Sequence, residues 1–187
     1  DDQHEPASIT KRLTALVALE NSKLDDEVYF SEDSVSFLEP GDASIGMTPG
    51  EILSMNDALY GMLLASANEV SYAIAESTGK LMGGDYNTFI QAMNDRSVEL
   101  GCTGSHWTNA NGLHNEQHYT PAHHMALIAS AVYPFEEFRT VTHPSNYTIG
   151  PSNLDGDSRT VHHNPRKLWY GRSFYQDYST GGTHGHR

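Results

Sequence analysis

The stretch Pro6-Ala7-Ser8-Ile9-Thr10-Lys11-Arg12-Leu13-Thr14-Ala15-Leu16-Val17 decides how this chain is read. Ile9, Leu13, Leu16 and Val17 fall at i, i+4, i+7 and i+8, one apolar stripe of a helix. Ser8 stands at its start, where a hydroxyl can cap the first turn. Ser8 and Lys11 are three residues apart and so share a helix face. An amine placed there can take the proton of the hydroxyl. The helix N-terminus adds positive potential that stabilises a developing alkoxide. Desolvation of Lys11 would lower its pKa and make it a base. A capping Ser beside a solvated Lys has the same spacing, so the pair needs support from elsewhere in the chain.

Outward from this stretch the pattern stays helical for two thirds of the sequence. Val28 to Leu38 alternates and is β-branched, so extended structure is expected there, with Pro40-Gly41 as a turn. Pro49-Gly50 is expected to open the next helix, whose stripe is Met55, Leu59, Met62 and Leu63. Asn68 to Ser77 is small and apolar, as in a helix buried on several sides, and Gly79 is expected to stop it. Asp85 to Leu100 is amphipathic through Tyr86, Phe89, Ile90 and Met93, with Gly101 as its C-cap. Thr120-Pro121 reads as an N-cap and first-turn proline before Met125, Ile128, Ala129 and Val132. Val141 to Ile149 and Arg159 to Leu168 read as strands. Helices in the middle and strands late imply an α+β fold, a helical cluster packed on an antiparallel β-sheet.

Composition sets limits on function. The chain has 187 residues, which suits one domain, and 37% are hydrophobic, enough for a core. Lys and Arg number 11 against 24 Asp and Glu, a net charge of −13, so binding to a phosphate backbone is disfavoured. The lone Cys102 excludes an internal disulfide and a Cys-rich metal site, and reads as a small buried residue. No run approaches the ~20 apolar residues of a membrane span; Ala58 to Ala67 and Met125 to Val132 read as buried helices. The polar start Asp1-Asp2-Gln3-His4-Glu5 is not a signal peptide. Trp107 and Trp169 read as packing residues, and Asp25-Asp26-Glu27 as a solvated turn.

A second signal is Ser66-Ala67-Asn68, a polar knuckle amid Leu63, Leu64 and Val70. Taken alone, Asn68 there can simply cap the next helix. Ser-x-x-Lys followed by Ser-x-Asn is, however, the motif pair of penicillin-interacting serine enzymes. Pro6 to Ala15, with Leu38-Glu39-Pro40-Gly41, Ile45-Gly46-Met47, Leu59 to Asn68, Glu99-Leu100-Gly101-Cys102, Asn109 to His114 and His118-Tyr119-Thr120, resembles the D-alanyl-D-alanine carboxypeptidases, the low-molecular-mass penicillin-binding proteins. The resemblance covers residues 6 to about 183.

It implies a serine-type carboxypeptidase acting on peptidoglycan stem peptides that end in D-Ala-D-Ala. Ser8 would be the nucleophile and Lys11 its base. Ser66 and Asn68 would orient substrate and relay the proton to the leaving D-alanine. β-Lactams would be covalent inhibitors at Ser8. No cofactor or metal is implied, and the location would be extracytoplasmic, in a bacterial periplasm, cell envelope or secreted. The oxyanion hole would pair the Ser8 N–H with that of Gly182.

The third family motif, Lys-Thr-Gly, is altered. Its best register places Ser179 before the substrate-binding run Thr180, Gly181, Gly182 and Thr183, so the cation is replaced. Loss of one charged hydrogen bond of ~1.5–3 kcal/mol corresponds to roughly 10- to 150-fold in rate. His184 or His186 is the substitute the sequence offers. Seven residues precede Ser8 and four follow Thr183, too few for the family's outer strands. A single domain over 1–187, incomplete at both termini, is therefore expected, with a second chain as one way to complete the sheet. Three alternatives remain: an impaired pseudoenzyme that binds peptidoglycan peptides, a β-lactamase, and a His-rich metal-binding protein suggested by 11 His. For the last, pairs occur at His123-His124 and His162-His163, with His184-Gly185-His186 at the end. Adjacent His on a helix point about 100° apart, so His123 and His124 cannot both chelate easily, and exposed, partly solvated His is the plainer reading.

Overall fold

The structure is a computed structural model and describes residues 4–163. Its axis is helix α4 (Asn68–Leu81), against which α1 (Thr10–Asn21), α3 (Met55–Leu64) and α5 (Tyr86–Glu99) pack. The short helix α2 (Glu32–Ser36) and strand β1 (Glu27–Tyr29) cover α4 further. This is the helix that Asn68 to Ser77 implied. Ala73, Ile74 and Ala75 are all buried because small side chains let neighbours approach on several sides. Leu13, Leu16, Leu59, Leu63 and Phe89 fill the spaces between these helices, each contributing about 1.5–3 kcal/mol by leaving water. Helix α5 begins with a capping box between Asp85 and Thr88 and ends at Gly101, whose φ of +88° suits the left-handed cap.

Two small antiparallel sheets flank the helices. Strand β1 pairs with β2 (Ile52–Ser54) in the register Val28 opposite Leu53. After α6 (Ala122–Val132) and α7 (Glu136–Thr142), β3 (Asn146–Ile149) pairs with β4 (Arg159–His162), with Tyr147 opposite Val161. Helical cluster and antiparallel strands together give the α+β class expected. Trp107 and Cys102 are buried, as read, and the Trp107 Nε1–H donates to Ser97 Oγ at 3.0 Å.

Several local expectations need correction. Ser8 caps nothing; it sits inside a 3-10 turn (Ala7–Ile9) that runs directly into α1. Val28 to Leu38 is extended only at its start, because Ser31 Oγ accepts from the Ser34 N–H and Glu32 and Asp33 favour a helix N-terminus. Pro49-Gly50 is a turn before β2, and the cap of α3 is Ser54, which accepts from the Asp57 N–H. Thr120 lies one residue too early to cap α6; its Oγ1 meets Ser105 Oγ at 2.6 Å. Val141 lies in the last turn of α7 rather than starting a strand. Helix α6 is only half buried, with Leu127 on the surface. His118, His124 and His163 are buried, not exposed.

Gly79 does not stop α4. It lies inside the helix, and a Cβ there would sit 1.9 Å from the Asp85 carbonyl oxygen. The missing side chain lets the start of α5 close onto α4, with the Gly84 N–H donating to the Gly79 carbonyl at 2.9 Å. Gly79→Ala is expected to destabilise the fold by about 1–3 kcal/mol through overpacking against backbone. The measurement is the urea midpoint. An unchanged midpoint would mean that α5 retreats freely.

Candidate active site

Two helix starts meet at one point. The 3-10 turn sets Ser8 immediately ahead of α1, and Lys11 lies in the first turn of α1. Asn68 is the first residue of α4, reached through the link Ala65-Ser66-Ala67. Lys11 is fully buried, and its Nζ donates to the Asn111 carbonyl at 2.7 Å, to Asn68 Oδ1 at 2.9 Å and to Ser8 Oγ at 3.3 Å. The structure therefore brings Ser8, Lys11 and Asn68 together. Ser66 adjoins them in the link and is itself nearly buried. Asn68 is not spent as a cap, since the N-cap position of α4 belongs to Ala67.

The three partners of Lys11 differ in a way that matters chemically. Two are acceptors, a carbonyl and an amide oxygen, and only Ser8 can also donate. A neutral amine has two N–H bonds and one lone pair. It can give both N–H bonds to Asn111 and Asn68 and turn its lone pair to the Ser8 O–H. Burial pulls the Lys11 pKa down from 10.5 to about 7, against smaller opposing effects of the charges on Glu69 and Asp42. Near neutral pH the amine is thus available as a base.

Backbone strain concentrates at the same place. Among the described residues the non-glycine positions with positive φ are Ala7 at +47° and Ser66 at +58°. One precedes Ser8 and the other belongs to the Ser-x-Asn link. Such conformations cost of order 1–3 kcal/mol each and persist where the surroundings impose them.

A loop that the sequence reading left without a role supplies the third partner of Lys11. Asn109 Oδ1 accepts from the Gly112 N–H at 2.7 Å, and Asn111 Oδ1 accepts from the Leu113 N–H at 3.1 Å. Thr14 Oγ1 donates to the Ala110 carbonyl at 2.7 Å, and Tyr86 Oη accepts from the Ala110 N–H at 3.2 Å. These bonds fix the Asn111 carbonyl over Lys11. The paired Asn residues before Gly112 are a turn signature that could have marked this loop.

His118 ties the same loop region to α1. Its Nδ1 accepts from the Thr108 N–H at 3.0 Å, so Nε2 carries the hydrogen and donates to Thr10 Oγ1 at 2.9 Å. Burial, with a smaller effect of His106, lowers the His118 pKa from 6.5 to about 4. The unfolded chain then binds the extra proton between pH 6.5 and 4, so stability falls as pH drops through that window. The loss from this group is about 3 kcal/mol in full. His118→Gln retains a donor and an acceptor but does not titrate. It is expected to flatten this part of the stability curve in urea titrations at pH 4 to 6.5; an equally steep curve would contradict the assignment.

Thr180, Gly181, Gly182 and Thr183, with Trp169, His184 and His186, lie outside the described residues. Among the described residues no group of three His, Cys, Asp or Glu is placed to hold a metal ion. No helix among them is long and apolar enough to cross a membrane.

Comparison with known proteins places the geometry in context. A family model described as D-alanyl-D-alanine carboxypeptidase matches residues 1–185. D-alanyl-D-alanine carboxypeptidase DacF of Bacillus subtilis is 33% identical over 142 residues, which are 73% of this chain and 35% of that protein. A D-alanyl-D-alanine carboxypeptidase of a Streptomyces species is 29% identical over 168 residues, 86% of this chain and 57% of that protein. The chain thus spans about a third to just over half the length of these relatives. The solved D-alanyl-D-alanine carboxypeptidase of Mycobacterium tuberculosis superposes with a TM-score of 0.80 at 25% identity, covering 100% of this chain and 66% of that one. A match running along almost the entire sequence, on a fold shared with a solved relative, decides the matter: this chain belongs to the D-alanyl-D-alanine carboxypeptidase family.

Proposed function

We propose that the chain carries the acyl-transfer centre of a serine-type D-alanyl-D-alanine carboxypeptidase acting on peptidoglycan stem peptides. Ser8 Oγ attacks the carbonyl carbon between the two terminal D-alanines while its proton moves to Lys11 Nζ. The C–N bond then breaks, the proton passes to the leaving D-alanine amine, and an ester to Ser8 remains. Water adds to that ester, releases the shortened peptide and restores the Ser8 hydroxyl. Asn68 orients substrate and Lys11, and Ser66 relays the proton. In this reading Thr180, Gly181, Gly182 and Thr183 bind substrate, and the Gly182 N–H joins that of Ser8 in stabilising the oxyanion.

One observation carries this reading: a fully buried lysine amine whose one partner able to donate, among the described residues, is Ser8, 3.3 Å away. β-Lactams would acylate Ser8 in the same way. The polymer substrate puts the protein outside the cytoplasmic membrane, in the envelope, periplasm or medium. The residues form one transpeptidase-like domain.

The test is release of free D-alanine from a peptide ending in D-Ala-D-Ala, run beside Ser8→Ala. Release by the wild type and none by the variant is expected. Ser179 at the place of the family's motif lysine favours a second reading, an impaired enzyme that binds such peptides without turnover. Peptide binding with no D-alanine released would select it.

A further inference from the structure

Beside the Ser8–Lys11 pair lies a buried charge that the proposed chemistry does not use. Glu69 is fully buried in the first turn of α4, one residue after Asn68. Its Oε1 accepts from Ser44 Oγ and from the Ile45 N–H, both at 2.8 Å. The same strap is held a second time, where the Asn68 N–H donates to the Ala43 carbonyl at 2.8 Å. Its other oxygen, Oε2, is buried with no hydrogen-bond partner among the described residues. Leaving a charged oxygen buried and unpaired is costly, and a glutamine would serve the strap without that cost.

We propose that Glu69 is a positioning residue of the active site, whose carboxylate ties residues 43–46 to the start of α4 and sets a buried negative charge next to Asn68, the partner of Lys11. The inference rests on Lys11 being the base of the proposed acyl transfer. Burial alone would drive the amine toward permanent neutrality, too weak a base to hold the Ser8 proton. Among the charges that oppose this, Glu69 acts most strongly, ahead of Asp42 on the strap. Other titratable groups are Arg12 beside Lys11 and His118 across Thr10, and, around the 43–46 segment, Arg159, His162 and His163. The last three line a cavity of about 320 Å³ next to Ser44 and Ile45.

The experiment follows the side-chain Cε signals of the four lysines by NMR across pH 5 to 11, in the wild type and in Glu69→Gln. Lys11 is assigned by its loss in a Lys11→Met sample. The wild-type Lys11 midpoint is expected near 7. Glu69→Gln keeps an acceptor for the strap and removes the charge, so the midpoint is expected to fall by about one unit or more. Asp42→Asn, half-exposed, is expected to move it less. An unmoved midpoint in Glu69→Gln, or a larger shift in Asp42→Asn, overturns the proposal.

Ser44→Ala, at an exposed position, is the second variant and stands even if Glu69→Gln fails to fold. It weakens the tie and keeps the charge. The Ile45 amide is expected to exchange with solvent at least about tenfold faster, with the Lys11 midpoint unchanged. Unaltered exchange overturns the strap assignment. These readouts need no turnover, so a failure of the carboxypeptidase reading would show separately, as absent D-alanine release in a protein whose Lys11 still titrates as described.

Discussion

Replacing Lys11 with methionine is expected to slow acylation of Ser8 by about 10²–10⁴-fold at pH 7, the range that a positioned general base supplies. The side chain keeps nearly the same volume, so the core is not emptied. What is lost is the lone pair facing the Ser8 hydroxyl and the two N–H bonds to Asn111 and Asn68. The pH behaviour should change in two separable ways. Wild-type acylation should fall about tenfold per unit below pH 7, where Lys11 becomes protonated, and the residual rate of the variant should lack that limb.

Stability should change with pH as well. Because the folded pKa of Lys11 lies near 7 and the unfolded value at 10.5, the unfolded chain binds more protons between these pH values. Folding is therefore penalised below pH 7, and stability rises by about 1.4 kcal/mol per pH unit through the window. The methionine variant should lose that slope. Stopped-flow acylation with a fluorescent penicillin and urea unfolding from pH 6 to 10 measure both. A variant that acylates within a few fold of the wild type would remove Lys11 from the mechanism.

Gly112→Ala is expected to cost at least about 100-fold in acylation although residue 112 carries no reacting group. At its φ of +83°, a Cβ would lie 1.9 Å from the Ala7 carbonyl oxygen and 3.1 Å from the Ser8 nitrogen. Both neighbours are backbone, so neither can swing aside. The turn carrying Ser8 must shift, or the loop must lift and take the Asn111 carbonyl away from Lys11. Either outcome misaligns the nucleophile with its base. A stability loss of about 1–3 kcal/mol should accompany it from overpacking and the left-handed backbone. Acylation rates compared with the urea midpoint separate the two effects. A stable variant with wild-type acylation would show that the 109–113 loop does not control the site.

The contrast between these residues explains what the sequence could and could not disclose. Ser8, Lys11 and Asn68 were legible because their chemistry resides in side chains with recognisable spacing, and because helix starts place such side chains predictably. The apolar stripes of α1, α3 and α5 were legible for the same reason of periodicity. The third partner of Lys11 is a backbone carbonyl, which every residue possesses, so no residue type announced Asn111. The strained conformations of Ala7 and Ser66 fall on residues that do not advertise positive φ. Local propensity makes Gly79 a helix stop, whereas a tertiary contact with Asp85 decides its place. Histidine as a residue type points to the surface, yet both ring nitrogens of His118 find partners and permit burial. Glu32–Ser36 was hidden by β-branched neighbours that resemble a strand, and its cap at Ser31 outweighed them.

The most direct measurement is the location of a covalent β-lactam adduct. The folded protein is incubated with a penicillin, its intact mass is taken, and it is digested and sequenced by mass spectrometry. One added drug mass on the peptide containing Ser8, absent from Ser8→Ala, is the result expected of a nucleophile served by Lys11. An adduct on another residue, or none on a protein shown to be folded, would contradict it.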